Sequence, residues 1–266
     1  MQLSDLQQIH TNYDHIYLSP HIDDVALSCG GTIALQRKRN ERVLVVTLCT
    51  AAPSPEISFS ALAEEFHSQW KLSPDQVVSA RLHEDRLAME QLDVDYHWVH
   101  FVDAIYRYPD AYHSRDTLFN QPATDDPLGL HIAELITTLS DHTPPATLYA
   151  PLGVGSHVDH LLTHATVAYQ SGSNVTFYED FPYVAVPGAL EQRLATLNTR
   201  MTSTMITIDP VIETKLAAIN TYVSQMDELF GGSDTMRQTV TQYARSLCPD
   251  GATYGERFWK KSFMAT

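Results

Sequence analysis

Apolar positions along the chain fall into two alternating patterns. Short runs rich in β-branched or aromatic residues read as strands. HIYLS at 15–19 is one, closed by Pro20, which cannot donate to a sheet ladder. RVLVVTLCT at 42–50 is the clearest, continuous in character and bounded by polar and proline-rich stretches. YHWVHFVD (96–103), ATLYAPLG (146–153), VTFYEDF (175–181) and TMITID (204–209) follow. Runs without polar alternation suit parallel strands covered on both faces. Between them lie stretches with helical spacing. Leu27, Ile33, Ala34 and Leu35 lead to a basic end at about Arg39. Val78, Leu82, Leu87 and Leu92 mark a helix opened by Pro74. Leu130, Ile132, Leu135, Ile136 and Leu139 mark another over 127–142, and 161–170, 210–226 and 234–247 complete the set.

This alternation predicts an α/β fold: one open, mostly parallel sheet with helices on both faces, as a single domain over 1–266. Ligands of such sheets bind beyond the carboxyl ends of the strands. No repeat, linker or low-complexity segment interrupts it. One segment, 104–126, carries neither pattern and exceeds the usual connection length. It follows the strand ending at Asp103, so it emerges at the ligand-binding edge. Its Tyr106, Tyr108, Tyr112 and Phe119 are candidates to pack on a sugar ring, and Arg107 and Arg115 to meet hydroxyl or phosphate groups.

Composition narrows the partners. A net charge of −15 over 266 residues argues against nucleic acid, which selects clustered Lys and Arg. The three cysteines, Cys29, Cys49 and Cys248, are too few and too scattered for a disulfide framework and fit a reducing compartment. The start, MQLSDLQQIHTNYDH, is polar and acidic, unlike a signal peptide, and no apolar run reaches membrane-spanning length. A cytoplasmic location without a membrane span is the expectation, and a homo-oligomer stays open.

Two polar clusters then demand explanation, because each directly follows a predicted buried strand. His21, Asp23 and Asp24 form the first; His157, Asp159 and His160 form the second. Imidazole nitrogens and carboxylate oxygens are zinc ligands, and three of them with an open position make a catalytic site. His21 and Asp24, three residues apart, can face one ion, which leaves Asp23 pointing elsewhere, toward a water. Spacing does not decide between His157 and His160 as the ligand from the second cluster. Among 13 histidines a chance pair is common, and the adjacent aspartates could instead cap the following helix. Gly30 and Gly31 lack the G-x-G-x-x-G context of a dinucleotide site and read as close packing of helix and strand; Cys29 reads as a small buried residue.

The stretch SPHIDDVALSCGGTIA (19–34) resembles the first motif of the PIG-L/LmbE-like zinc-dependent de-N-acetylases, and HVDH (157–160) resembles their second. SARLHED, YEDFPY, KLAAINTYVSQ and GERFW are similar to further segments of some members. Ile22 and Val25 depart from the commoner P-D-D-E form, at positions that bear on substrate preference rather than metal binding. The resemblance implies a Rossmann-like fold and one Zn2+ per chain, with other divalent metals admissible. It implies His21, Asp24 and His160 as ligands, Asp23 as general base, and His157 as the group that stabilises or protonates the intermediate. Asp159 would orient a histidine from behind, with a solvated loop acid as the alternative. Arg81 and Asp103 match sugar-contacting positions, and Tyr106 and Arg107 are added as substrate contacts. The implied reaction removes an acetyl group from an N-acetylglucosamine-type conjugate. An amidase acting on a non-sugar or thiol conjugate, and a non-catalytic metal- or sugar-binding protein, are the competing expectations.

Overall fold

Five parallel strands, β1 (His15–Ser19), β2 (Val43–Ala51), β3 (Asp95–Val102), β4 (Thr147–Pro151) and β5 (Val175–Tyr178), form most of one sheet. Beyond β5 come β7 (Gly255–Lys261), antiparallel to both neighbours, and the edge strand β6 (Met201–Thr207). The sheet order is β3-β2-β1-β4-β5-β7-β6. The structure is a computed structural model that describes residues 1–6, 12–54, 56–70, 74–143, 146–170, 174–248 and 253–262. The Rossmann-like, mostly parallel sheet read from the sequence is observed.

The helices are α1 (Asp24–Lys38), α2 (Ala61–Trp70), α3 (Pro74–Leu92), α4 (Ala104–Arg107), α5 (Arg115–Leu118), α6 (Leu128–His142), α7 (Val158–Gln170), α8 (Ala189–Thr196), α9 (Ile212–Ile219), α10 (Val223–Phe230) and α11 (Ser233–Ser246). α1, α3 and α9 pack as one layer and α6 with α7 as another. Between them β2 is buried along almost its whole length, which is why its sequence shows no polar alternation. The chain winds outward from β1 to β3 on one side and from β4 to β5 on the other. The carboxyl ends of β1 and β4 therefore flank the switch point, where open α/β sheets bind ligands. No helix among the described residues is long and apolar enough to cross a membrane.

Several elements depart from the sequence reading. Segment 104–126 holds two short helices, α4 and α5. The single helix expected over 210–226 is broken into α9 and α10 by side chains of α3: Tyr222 donates to Asp85 at 2.8 Å, and Glu84 accepts from the Ser224 N–H at 2.8 Å. The Ser224 bond satisfies a backbone donor at the start of α10 that a continuous helix would have used internally, and the Tyr222 bond anchors the break against α3. α2, α8 and β7 carried too few apolar positions to be read.

The glycine pair marks a close approach, but to α9 and the β6–α9 connection rather than to a strand face alone. A Cβ on Gly31 would meet Ile208 Cδ1 at 2.6 Å and Glu256 Oε1 at 3.0 Å. Gly31→Ala is therefore expected to cost about 1–3 kcal/mol through overpacking, a fall of about 2–4 °C in Tm per kcal/mol for a chain of this size. Thermal unfolding checks it; an unchanged midpoint would mean that Ile208 moves aside freely.

Candidate active site

The first cluster sits on the turn from β1 into α1. Ser19 Oγ donates to the His21 carbonyl at 2.7 Å and accepts from the Val25 N–H at 3.3 Å, which shapes the turn. Asp24 Oδ2 accepts from the His21 backbone N–H at 2.7 Å. Asp23 has φ 103°, a region costly for a residue with a Cβ. Although Asp23 occupies the N-cap of α1, its side chain makes no cap hydrogen bond. It lies instead 3.4 Å from Arg81 Nη2, which also donates to the Ile22 carbonyl at 2.9 Å. A helix-capping pair does not describe these aspartates.

The second cluster sits between β4 and α7. Asp180, just past β5, accepts from the Gly153 and Val154 N–H groups at 2.8 Å each and from His160 Nδ1 at 2.7 Å. Gly153 and Gly155 take φ of 86° and 88°, which favours glycine at these two positions. The hydrogen on Nδ1 of His160 points its Nε2 lone pair at the first cluster. His21 is set the same way: its Nε2 donates to Asp159 Oδ2 at 3.0 Å, so Nδ1 presents a lone pair.

Three lone-pair atoms consequently face one point. His21 Nδ1 lies 3.5 Å from Asp24 Oδ2, and His160 Nε2 lies 3.3 Å from each of them. Ligands about 2.0–2.1 Å from a tetrahedral zinc ion stand roughly 3.3–3.4 Å apart. The donor set and its spacing fit such an ion. The electrostatics agree. Burial opposes a charged His21, yet Asp103, Asp159 and Asp24 outweigh it and raise its pKa well above the usual value. Burial likewise opposes a charged His160, but Asp24 and Asp180 raise it to about 9. Burial opposes ionised Asp24 as well, and the two imidazoles hold it far below the carboxylate range. Without an ion the two imidazoles hold protons on the nitrogens that face this point, and a cation would take the place of that charge, so the point between the three selects positive charge.

Among the described residues, two other groupings bring ligand atoms within 4.8 Å of one another: His21–His157–His160 and His21–Cys49–Asp159. The second is sealed from behind by Arg107, and burial, reinforced by Asp159, pushes the Cys49 thiol up and keeps it protonated. His157 is driven the opposite way from its neighbours: burial first, then His21, lower its pKa well below normal. It is a neutral imidazole. Its Nδ1 accepts from the Asp159 N–H at 3.3 Å, which leaves the hydrogen on Nε2. Burial raises Asp23 to about 7 against the pull of Arg81, with Asp24 adding to the rise.

These groups open into a cavity of about 950 Å³. Phe66, Phe119, Phe181 and Tyr183 give it aromatic walls; Asp103, Asp227 and Glu228 give it acidic ones; Arg81 and Arg115 are its guanidinium groups. Of the expected substrate contacts, Arg81 and Asp103 line this space. Tyr106 and Arg107 do not. The Tyr106 hydroxyl is hydrogen-bonded to His67 Nε2 at 2.7 Å within an apolar cluster, and the donors of Arg107 are spent on buried carboxylates and a carbonyl. Segment 104–126 does border the cavity, but through Ile105, Arg115, Leu118 and Phe119. Asp159 is fully buried, not a solvated loop acid, and it holds His21 rather than His157 or His160 through its side chain. Sequence reading missed Asp180 and the wall supplied by α10. An acid directly after a third strand, in YEDF, was the available signal for Asp180.

The sequence matches the family described as GlcNAc-PI de-N-acetylase, PIG-L, over residues 16–169. It is similar to the 2'-N-acetylparomamine deacetylase of Streptomyces fradiae, 29% identical over 247 residues that cover 90% of this chain and 81% of that protein. The 2'-N-acetylparomamine deacetylase of Niallia circulans is 31% identical over 184 residues, 63% of this chain and 66% of that one. Among solved structures, the zinc-inhibited form of teicoplanin deacetylase Orf2 superposes with a TM-score of 0.78 at 27% identity, covering 94% of this chain and 99% of that one. The A40926 pseudoaglycone deacetylase Dbv21 superposes at 0.75 with 26% identity, over 96% of this chain and 100% of that one.

Proposed function

The chain belongs to the PIG-L family of de-N-acetylases, and from that membership we propose that it hydrolyses the N-acetyl amide of an amino-sugar conjugate at a divalent-metal centre held by His21, Asp24 and His160. The observation that carries this is the set of three lone-pair atoms 3.3–3.5 Å apart beside a carboxylate, Asp23, that caps nothing. A bound divalent ion supplies Lewis acidity, which lowers the pKa of a water at the site and polarises the amide carbonyl.

The protein's own groups complete the reaction. Asp23 accepts the proton of the attacking water and delivers it to the departing nitrogen. Water's oxygen bonds to the acyl carbon, the C–N bond breaks, and acetate and a free amine result. Of the two roles expected for His157, its neutral state supports the stabilising one: Nε2–H donates to the oxyanion that develops on the carbonyl oxygen. Losing one such donor typically costs about 3–4 kcal/mol. His157→Ala is accordingly expected to lower kcat by roughly 10²–10³ with metal content unchanged; a normal rate would remove the residue from the chemistry.

The cavity supports a class of substrate. Aromatic side chains suit the apolar faces of sugar rings, and Asp103, Asp227 and Glu228 suit further amino groups on the same molecule. The Streptomyces and Niallia relatives are named as deacetylases of 2'-N-acetylparomamine. The test incubates metal-loaded protein with N-acetylated aminoglycosides and with neutral N-acetylglucosamine conjugates, and measures released acetate and primary amine. Release from the cationic set at higher kcat/KM is the expected result. No release from either set would sink the hydrolase reading.

A further inference from the structure

Arg107, on α4, sits outside the cavity and makes no contact with the metal ligands themselves, yet its guanidinium joins two fully buried carboxylates. Nε and Nη2 donate to Asp126 Oδ1 and Oδ2 at 2.9 and 2.8 Å. Nη2 also donates to Asp159 Oδ1 at 2.6 Å, and Nη1 donates to the Val102 carbonyl at 2.7 Å. The other oxygen of Asp159 takes the Nε2 hydrogen of His21 at 3.0 Å and the Ala104 N–H at 3.2 Å. Asp126 is itself fixed by the Leu128 N–H at 2.9 Å and the Tyr112 hydroxyl at 2.8 Å. A continuous buried chain therefore runs Asp126–Arg107–Asp159–His21. It begins where α6 starts and ends one bond from the metal point.

We propose that Arg107 is a positioning residue of the metal centre: through Asp159 it fixes the tautomer and ring plane of His21, so that segment 104–126 holds the metal site together rather than only walling the cavity. The inference rests on the metal-centre reading above. Physically, an isolated buried carboxylate is costly and turns toward whatever donor it can find. The guanidinium fork occupies Oδ1 of Asp159 and neutralises the pair, which leaves Oδ2 directed at His21. Without it, the Asp159 carboxylate is free to rotate, and His21 loses its 3.0 Å acceptor and keeps only Asp103 Oδ2, at 3.5 Å, to hold its Nδ1 toward Asp24 and His160. Outer partners of this kind typically change metal affinity 10–100-fold. A lysine at this position supplies one point charge and does not span both carboxylates.

The experiment compares the wild-type chain with Arg107→Gln. It measures zinc dissociation constants by competition with a fluorescent chelator, the visible spectrum of the cobalt-loaded form, KM at saturating zinc, and Tm of the metal-free protein. The expected result is a zinc dissociation constant raised on the order of 10–100-fold, an altered cobalt spectrum, and KM within about twofold once zinc saturates. If Arg107→Gln does not fold, Arg107→Lys carries the same test, with an expected loss of about tenfold. An unchanged zinc constant with a lower metal-free Tm makes Arg107 merely structural and overturns the proposal. An unchanged constant with a raised KM makes it a substrate contact and overturns it equally. A wild-type chain that binds no zinc overturns the metal-centre reading itself, a result separable from the other two.

Discussion

Asp23→Asn is expected to keep its metal and to lose roughly 10²–10⁴ of kcat, the span a positioned general base contributes. Asparagine preserves the shape of the side chain and tolerates positive φ better than most residues, so the strained backbone at φ 103° is retained. What changes is the proton acceptor. Asp23 is buried, and its carboxyl is raised to about 7 because burial outweighs the attraction of Arg81 3.4 Å away. An acceptor whose affinity for a proton matches neutral water chemistry is what a base in this position requires. Nothing else in the turn explains the residue: the helix does not use it as a cap, and the ligand triangle closes without it. A protein that only stored metal or bound sugar would need the triangle and not Asp23. Metal content together with single-turnover rates of the variant decides the matter. Near-normal turnover would leave Asp23 as a backbone device at the start of α1.

Strand ends and metal-type side chains were legible in the sequence because both are local. β1 and β4 show as apolar runs, and the clusters that follow them, 21–24 and 157–160, lie at the switch point the alternation implies. Direction was not legible. Tyr106 and Arg107 lie on the right segment, but one turns into the cluster with Phe59 and His67 and the other into Asp126 and Asp159, while Phe119 and Arg115 turn toward the cavity. A stretch without period 2 or 3.6 gives no face to read. Tertiary bonds hid other features. The break after Ile219 is set by Glu84 and Asp85 from α3, and it creates the α10 wall of the cavity. β7 looked polar because its buried Glu256 is paired to Lys215 at 2.6 Å and its Arg257 to Glu179 at 2.5 Å, partners far away in sequence.

His160→Ala is expected to empty the metal centre. Apparent zinc-binding free energies of about 10–16 kcal/mol shared among the protein ligands assign roughly 3–5 kcal/mol to each, a loss of at least about 10² in affinity. The cut is clean, because Asp180 keeps its two backbone partners, the Gly153 and Val154 N–H groups, when the imidazole goes. Asp180→Asn asks the subtler question. Its amide can donate to Nδ1 of His160, which would move the ring hydrogen to Nε2 and turn it against Asp24 and His21; a 10–100-fold weaker site is expected. Metal analysis after dialysis separates the three geometric groupings. The triangle of His21, Asp24 and His160 requires that His160→Ala lose metal while His157→Ala and Cys49→Ser retain it. Loss in both histidine variants would instead favour His21–His157–His160. Full occupancy in His160→Ala with loss in Cys49→Ser would move the ion behind His21, to Asp159 and Cys49, and would overturn the assignment of Asp24 and His160 as ligands.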